Sequence, residues 1–170
     1  MKPAVVRPFE ADDLQGAANA LVEVHETDGY PVEGVRDPQA WLRSDDVMAA
    51  WVAEAEGEIV GHIALMRPQG EEAVSLWIEQ TGDNEEHVVV LARLFVVRAA
   101  REHATGRSLV EAAMAYANAK GLRLVLDVMT KDAAAMRLYE RLGWREIGEA
   151  THHYGSGQSI QAVCYVSPEA

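Results

Sequence analysis

A mixed α/β sheet flanked by helices is the fold class this sequence predicts, and three observations predict it. The first half holds two apolar, strand-like runs, Ala49 to Ala55 and Glu58 to Met66, on either side of a hairpin-like Glu56-Gly57. The second half alternates strands with helices, beginning from a near-continuous apolar run, His87 to Val97, of the kind found in a central strand buried on both faces. No internal repeat and no break in composition divides the chain, so residues 1–170 are expected to form one domain.

Val5 to Phe9 is the opening strand, and Glu10-Ala11-Asp12-Asp13 places carboxylates where a helix first turn favours them. The helix continues to about His25, with Leu14, Ala17, Ala18, Leu21 and Val22 on one face. After a turn at Thr27 to Pro31, Asp37-Pro38 has the cap-then-proline order of a second, short helix. The hairpin follows. The polar stretch Gln69 to Glu86 reads as a loop carrying one short helix, from about Glu71 to Gln80. The apolar run His87 to Val97 leads into a helix from about Gly106 to Lys120, which Gly121 stops. Leu122 to Met129 is a strand and Asp132 to Leu142 a helix stopped by Gly143. Trp144 to Glu149 and Ile160 to Val166 close the fold as an antiparallel pair around a Gly/Ser-rich loop at Gly155 to Ser159.

Composition narrows the function. The 49% apolar and 25% charged fractions are those of an ordinary globular chain. No apolar run approaches the roughly 18 residues of a membrane span. The N-terminal residues carry no apolar secretory segment, so a cytoplasmic location is expected. Cys164 is the only cysteine and lies in the apolar run Ala162 to Val166, the setting of a buried structural thiol rather than a nucleophile. A net charge of −12 weighs against nucleic acid as a partner and suits a cationic one. Trp41, Trp51, Trp77 and Trp144 lack basic interleaving and read as core or pocket lining. The adjacent His152-His153 would face opposite sides of a strand, so no metal site is expected.

The chemistry concentrates between Leu91 and Trp144. Arg101-Glu102-His103-Ala104-Thr105-Gly106 joins the apolar strand to a helix, and the start of a helix presents unpaired N–H groups and a positive dipole end to an anion such as a pyrophosphate. This segment resembles the strand, Arg/Gln-x-x-Gly-x-Gly/Ala loop and helix by which GCN5-related N-acetyltransferases (GNAT) bind the pyrophosphate of acetyl-CoA. Arg101 and Gly106 fit its two ends, and Ala104 stands where the middle glycine is expected. Asp132 to Trp144 resembles the same family's Asn-x-x-Ala-x-x-Leu-Tyr-Glu-x-Leu-Gly-Phe motif without a gap from Ala135, with Asp132 for Asn and Trp144 for Phe.

The resemblance implies the GNAT fold, a central, twisted, mostly antiparallel sheet flanked by helices. It implies acetyl-CoA as cosubstrate and transfer of its acetyl group to a primary amine by direct attack. Tyr139 would give a proton to the departing thiolate. Phe95, Val96 and Val97, following Leu94, would meet the pantetheine arm through their main chain. Arg101, Glu102, His103, Ala104, Thr105, Gly106 and Arg107 would hold the pyrophosphate, with Asp132 and Ala135 also at the cofactor. Asp132 has a second reading as the N-cap of its helix. Glu85, Glu86, His87 and Asp127 are candidate bases for the incoming ammonium, and Glu86 is favoured. The acceptor, a small-molecule or peptide amine, would meet Asp28, Tyr30 and Glu33 and the Gln69 to Glu86 insertion. A homodimer accords with the family's habit, and neither nucleic acid nor membrane is expected as a partner. A noncatalytic CoA-binding or regulatory domain is the alternative. A dinucleotide-binding domain is disfavoured because no Gly-x-Gly-x-x-Gly follows an early strand.

Overall fold

The computed structural model describes residues 3–31 and 34–169. In chain order its elements are β1 (Val5–Pro8), α1 (Leu14–Asp28), α2 (Pro38–Leu42), β2 (Val47–Ala55), β3 (Glu58–Met66), α3 (Glu72–Thr81), β4 (Val88–Val96), α4 (Thr105–Ala119), β5 (Arg123–Met129), α5 (Ala133–Arg141), β6 (Arg145–Tyr154) and β7 (Gln158–Val166). Short 3-10 turns at Ala11–Asp13, Glu85–His87 and Arg98–His103 precede α1, β4 and α4. The chain forms two compact units, Met1–Met66 with Ala92–Ala113, and Arg67–Leu91 with Met114–Ala170. Strand β4 and helix α4 each contribute residues to both.

In the first unit the strands run in the order β1-β2-β3-β4. β1 pairs antiparallel with β2 and β2 with β3, the latter through the predicted Glu56-Gly57 turn, where both residues take left-handed backbone angles. Arg7 on β1 donates to both Asp13 carboxylate oxygens at 2.8 Å and to Glu54 on β2 at 2.9 Å. Asp13 also accepts from the Glu10 N–H at 2.8 Å, so one buried carboxylate ties the opening strand to the turn that starts α1. The Arg7 guanidinium holds that carboxyl below the usual carboxylate range. Helix α1 buries Ala17, Ala18, Leu21 and Val24. Val22, predicted on that face, is exposed, because the buried stripe follows the 3.6-residue period on to Val24.

In the second unit β5 is flanked by β4 on one side and β7 on the other, and β6 lies beyond β7. The β4–β5 ladder is parallel and the other two are antiparallel, so the predicted mixed, mostly antiparallel α/β class is the observed one. Helix α3 packs on the β6 side of this unit. A Cβ on Gly148 would stand 3.0 Å from Leu76 Cδ1, and Gln80 Nε2 donates to the Ile147 carbonyl at 2.6 Å. Gly148 at φ +152 therefore serves a close approach that a side chain would block. Cys164 is fully buried and its thiol is pushed up to about 12, by burial first and then by the negative charges of Asp127 and Glu72. A thiol held protonated in this way is structural, as the sequence suggests.

The closing hairpin is longer than predicted. β6 continues through the polar residues Thr151 to Tyr154, and β7 begins at Gln158. Main-chain pairing from Thr151 opposite Gln161 to Tyr154 opposite Gln158 recruits residues that a reading by apolar content assigns to a loop.

Candidate functional site

In the first unit, β4 ends in a turn that reverses into α4. Val97 N–H donates to the Val60 carbonyl at 2.9 Å, and the Val96 carbonyl accepts from Arg101 Nε at 2.9 Å. Two of the main-chain groups in the predicted pantetheine segment thus already have partners within the protein. The Phe95, Val96 and Val97 side chains are buried, as a main-chain role allows. The turn Arg98–His103 ends on Ala104, at φ 57 and ψ 30, and the Ala104 carbonyl accepts from Ser108 N–H at 3.1 Å in the first turn of α4.

The left-handed angle explains why the resembling motif carries glycine at this position, and alanine fills it at a cost of roughly 1 kcal/mol. Ala104→Gly is therefore expected to stabilise the protein by about 1 kcal/mol and raise its Tm by roughly 2–4 °C, read by thermal denaturation. An unchanged or lowered Tm would contradict the strain argument.

Arg98, Arg101 and Arg107 are exposed around this turn, and His103 is half-buried. Arg107 pairs with Glu111 at 3.2 Å. Thr105 turns inward instead, buried with its hydroxyl donating to the Ala100 carbonyl at 2.9 Å, so its side chain braces the turn. Glu102 is exposed, and Gly106 lies in the first turn of α4. The start of this fifteen-residue helix carries the positive end of the helix dipole, with three arginines near it.

Asp28, predicted at the acceptor, instead closes on these arginines. It pairs with Arg98 Nε at 3.1 Å and with the Arg101 guanidinium. Burial alone would raise the Asp28 carboxyl, but hydrogen bonds from Arg101, Thr27 and Arg98 and the charge of Arg101 outweigh it and hold the carboxyl low. Tyr30 meets the Trp41 ring edge-on at 6.3 Å. Glu33 lies outside the described residues.

Arg93 is a residue the sequence reading did not single out. It is left-handed at φ 57 within β4. Its guanidinium lies 4.6 Å over the Trp41 ring, donates to Ser44 Oγ at 2.8 Å and also reaches the Trp41 carbonyl. Gly34, Arg36, Asp37, Trp41, Ser44 and Arg93 border an open cavity of about 420 Å³. The signal available in the sequence was a lone charge within the apolar run His87 to Val97.

In the second unit, the β4–β5 ladder ends after Val90 opposite Val125, although β5 continues to Met129. Helix α5 follows β5. The Asp132 carboxylate accepts from Ala135 N–H at 3.1 Å, so its N-cap reading is the observed contact. Asp132→Ala is expected to cost about 1 kcal/mol of stability in urea unfolding while Asp132→Asn costs little, since the amide oxygen can still cap. Equal losses in the two variants would contradict the cap.

Tyr139 is buried at 4% exposure, its ring 5.3 Å from that of Trp144 and 6.3 Å from that of Tyr165. Tyr165 donates to Glu140 at 3.2 Å, and its phenol is pushed up to about 12 by burial and then by the Glu140 charge. Glu86 is exposed at the turn before β4, its N–H donating to Asn84 Oδ1 at 2.9 Å. His87 pairs with Asp83 at 3.5 Å, and Glu85 is exposed.

Glu71 and Glu72, from the insertion, come together with Asp127 and with His152 and His153 around a cavity of about 180 Å³. Its three carboxylates favour a cation over an anion. Among the described residues no group of three or more His, Cys, Asp or Glu is arranged to hold a metal, and no helix is long and apolar enough to cross a membrane.

Comparison with known proteins agrees with this architecture. An acetyltransferase of the GNAT family from Streptococcus pneumoniae superposes with a TM-score of 0.73 at 21% identity, over 98% of this chain and 99% of its own. The ribosomal-protein-alanine N-acetyltransferase of Brucella melitensis gives 0.74 at 19%, over 96% and 98%. Arabidopsis thaliana NAA60, in complex with acetyl-CoA, gives 0.71 at 18%, over 96% and 97%. At these identities the likeness is one of fold. The family model of the acetyltransferase (GNAT) family matches residues 15–144 of the 170. With most of its length matched by that model, the chain belongs to the acetyltransferase (GNAT) family.

Proposed function

We propose that the protein transfers the acetyl group of acetyl-CoA to a primary amine by direct attack, without a covalent enzyme intermediate. The observation that carries this reading is the left-handed Ala104 turn opening α4 between Arg98, Arg101 and Arg107. A pyrophosphate at that turn would be held by α4 N–H groups and by guanidiniums that exchange their Asp28 and Glu111 partners for phosphate oxygens. Acetyl-CoA, when bound, supplies an activated acyl thioester and a thiolate leaving group.

The chain's own residues supply the rest. Arg101, with Glu102 to Arg107 around it, anchors the phosphates, and the main chain about Phe95 to Val97 receives the pantetheine arm. Tyr139 gives its phenolic proton to the departing sulfur, and Glu86 takes the proton from the ammonium, directly or through water. Asp132 and Ala135 fix the start of the helix that carries Tyr139. Tyr30 and Glu33 are assigned to the acceptor. Asp28 restrains Arg98 and Arg101, so its part is at the cofactor end. The Brucella relative, named for ribosomal-protein alanine, and the acetyl-CoA complex of NAA60 support an amine acceptor and this cosubstrate.

A binding-only reading draws on one observation, the burial of Tyr139 between Trp144 and Tyr165. Thiol release from acetyl-CoA, measured over a panel of amines, polyamines, amino acids and peptides, separates the two. Acceptor-dependent release supports transfer. Acetyl-CoA binding without release across the panel supports the binding-only reading.

A further inference from the structure

We propose that His62 is a positioning residue for acetyl transfer: its Nδ1–H holds the Arg93 carbonyl and so fixes the left-handed turn in β4 ahead of Leu94 to Val97. The inference rests on the acetyl-CoA reading above. Arg93 is the one non-glycine residue within a strand, among the described residues, with a positive φ. Such a conformation persists where the surroundings hold it, and such residues gather at sites of binding and catalysis.

Exposure follows the same break. β4 is buried from Val88 to Leu91, half-buried at Ala92, Arg93 and Leu94, and buried again at Phe95 and Val96. The strand is therefore opened in its middle, immediately before the main chain assigned to the pantetheine arm.

Both ends of Arg93 are held. Its side chain is fastened to Trp41 and Ser44 on one side. On the other, its carbonyl lies 2.9 Å from Nδ1 of His62 on β3. His62 is 1% exposed, stacked on Phe95 at 5.1 Å with an 18° interplanar angle, and met edge-on by Phe9 at 6.0 Å. A carbonyl only accepts, so Nδ1 carries the proton and Nε2 keeps a bare lone pair. That nitrogen is buried without a hydrogen-bond partner among the described residues. An apolar side chain of similar shape would fill the space without burying the unpaired Nε2, but it would leave the Arg93 carbonyl without this donor. What the imidazole adds is one directed donor, aimed at the carbonyl of the strained residue, on a ring that also stacks on Phe95. Next to it, a Cβ on Gly61 would stand 3.2 Å from the Phe95 carbonyl, so β3 presses on this part of β4 at two successive residues.

Two variants separate positioning from packing. His62→Phe keeps the ring and loses the donor. His62→Asn loses the ring but keeps an N–H at the place of Nδ1. With the full chain, the Kd for acetyl-CoA is expected to rise about tenfold in His62→Phe, the equivalent of one hydrogen bond lost to the bound state. kcat/KM should fall at least as far, while Tm stays near that of the wild type. His62→Asn is expected to recover most of the affinity despite a lower Tm, which a merely structural role would not produce. Wild-type affinity in His62→Phe overturns the inference alone. Absence of acetyl-CoA binding by the wild type overturns the cofactor reading, and this inference with it. Should His62→Phe not fold, the imidazole 15N spectrum of the wild type decides: an Nδ1–H tautomer supports the strut, and an Nε2–H tautomer overturns it.

Discussion

Tyr139→Phe is expected to lower kcat for acetyl transfer by roughly 10²–10⁴-fold, the range in which a positioned general acid contributes. The substitution removes one hydroxyl and leaves the ring that packs against Trp144 and Tyr165, so the fold and the Kd for acetyl-CoA should both survive it. The loss should be greatest for weakly nucleophilic acceptors, whose attack leans most on departure of the thiolate. Steady-state kinetics beside a cofactor titration reads both quantities. A variant that turns over at the wild-type rate would remove Tyr139 from the mechanism, and one that no longer binds acetyl-CoA would make it a packing residue of the cofactor site.

The second large effect concerns acid stability. The His62 pKa is lowered from 6.5 to about 4, chiefly by burial and with help from the Arg93 charge, against the opposing pull of the Arg93 carbonyl. The sign follows from which state binds the proton. Below pH 6.5 the unfolded chain takes up a proton that the folded protein refuses until about pH 4. Stability therefore falls as pH drops through this window and levels off beneath it. Between pH 7 and pH 5 the loss from this one residue is about 2 kcal/mol. Urea unfolding of the wild type and of His62→Phe at the two pH values isolates it, because the variant lacks the titrating group. A pH dependence equally steep in both proteins would contradict the assignment.

Much of this fold was legible because the signals were local. The Glu56-Gly57 hairpin, the cap-then-proline start at Asp37-Pro38 and the Asp132 N-cap each depend on neighbours within a few residues, and each stands where it was read. Within the resembling motif Tyr139 is the buried residue of α5.

What escaped was set by tertiary partners. Asp28 and Arg101 are 73 residues apart, and nothing in either neighbourhood announces their pairing. The left-handed angles at Ala104 and Arg93 run against the preferences of the residues that bear them, so propensity points away from them. His62 looked like one more member of an apolar strand. Only the stacked Phe95 and the carbonyl opposite give its ring a task. The gathering of Asp127 with Glu71 and Glu72 likewise depended on where α3 packs.

The reaction proposed for the protein is acetyl transfer from acetyl-CoA to an amine. The most direct measurement incubates the purified protein with acetyl-CoA and an amine panel, and follows free thiol and acetylated product together. Equal amounts of thiol and N-acetylated amine are expected, dependent on the acceptor and lost in Tyr139→Phe. A wild-type protein that binds no acetyl-CoA, or binds it and releases no thiol with any amine, would contradict it.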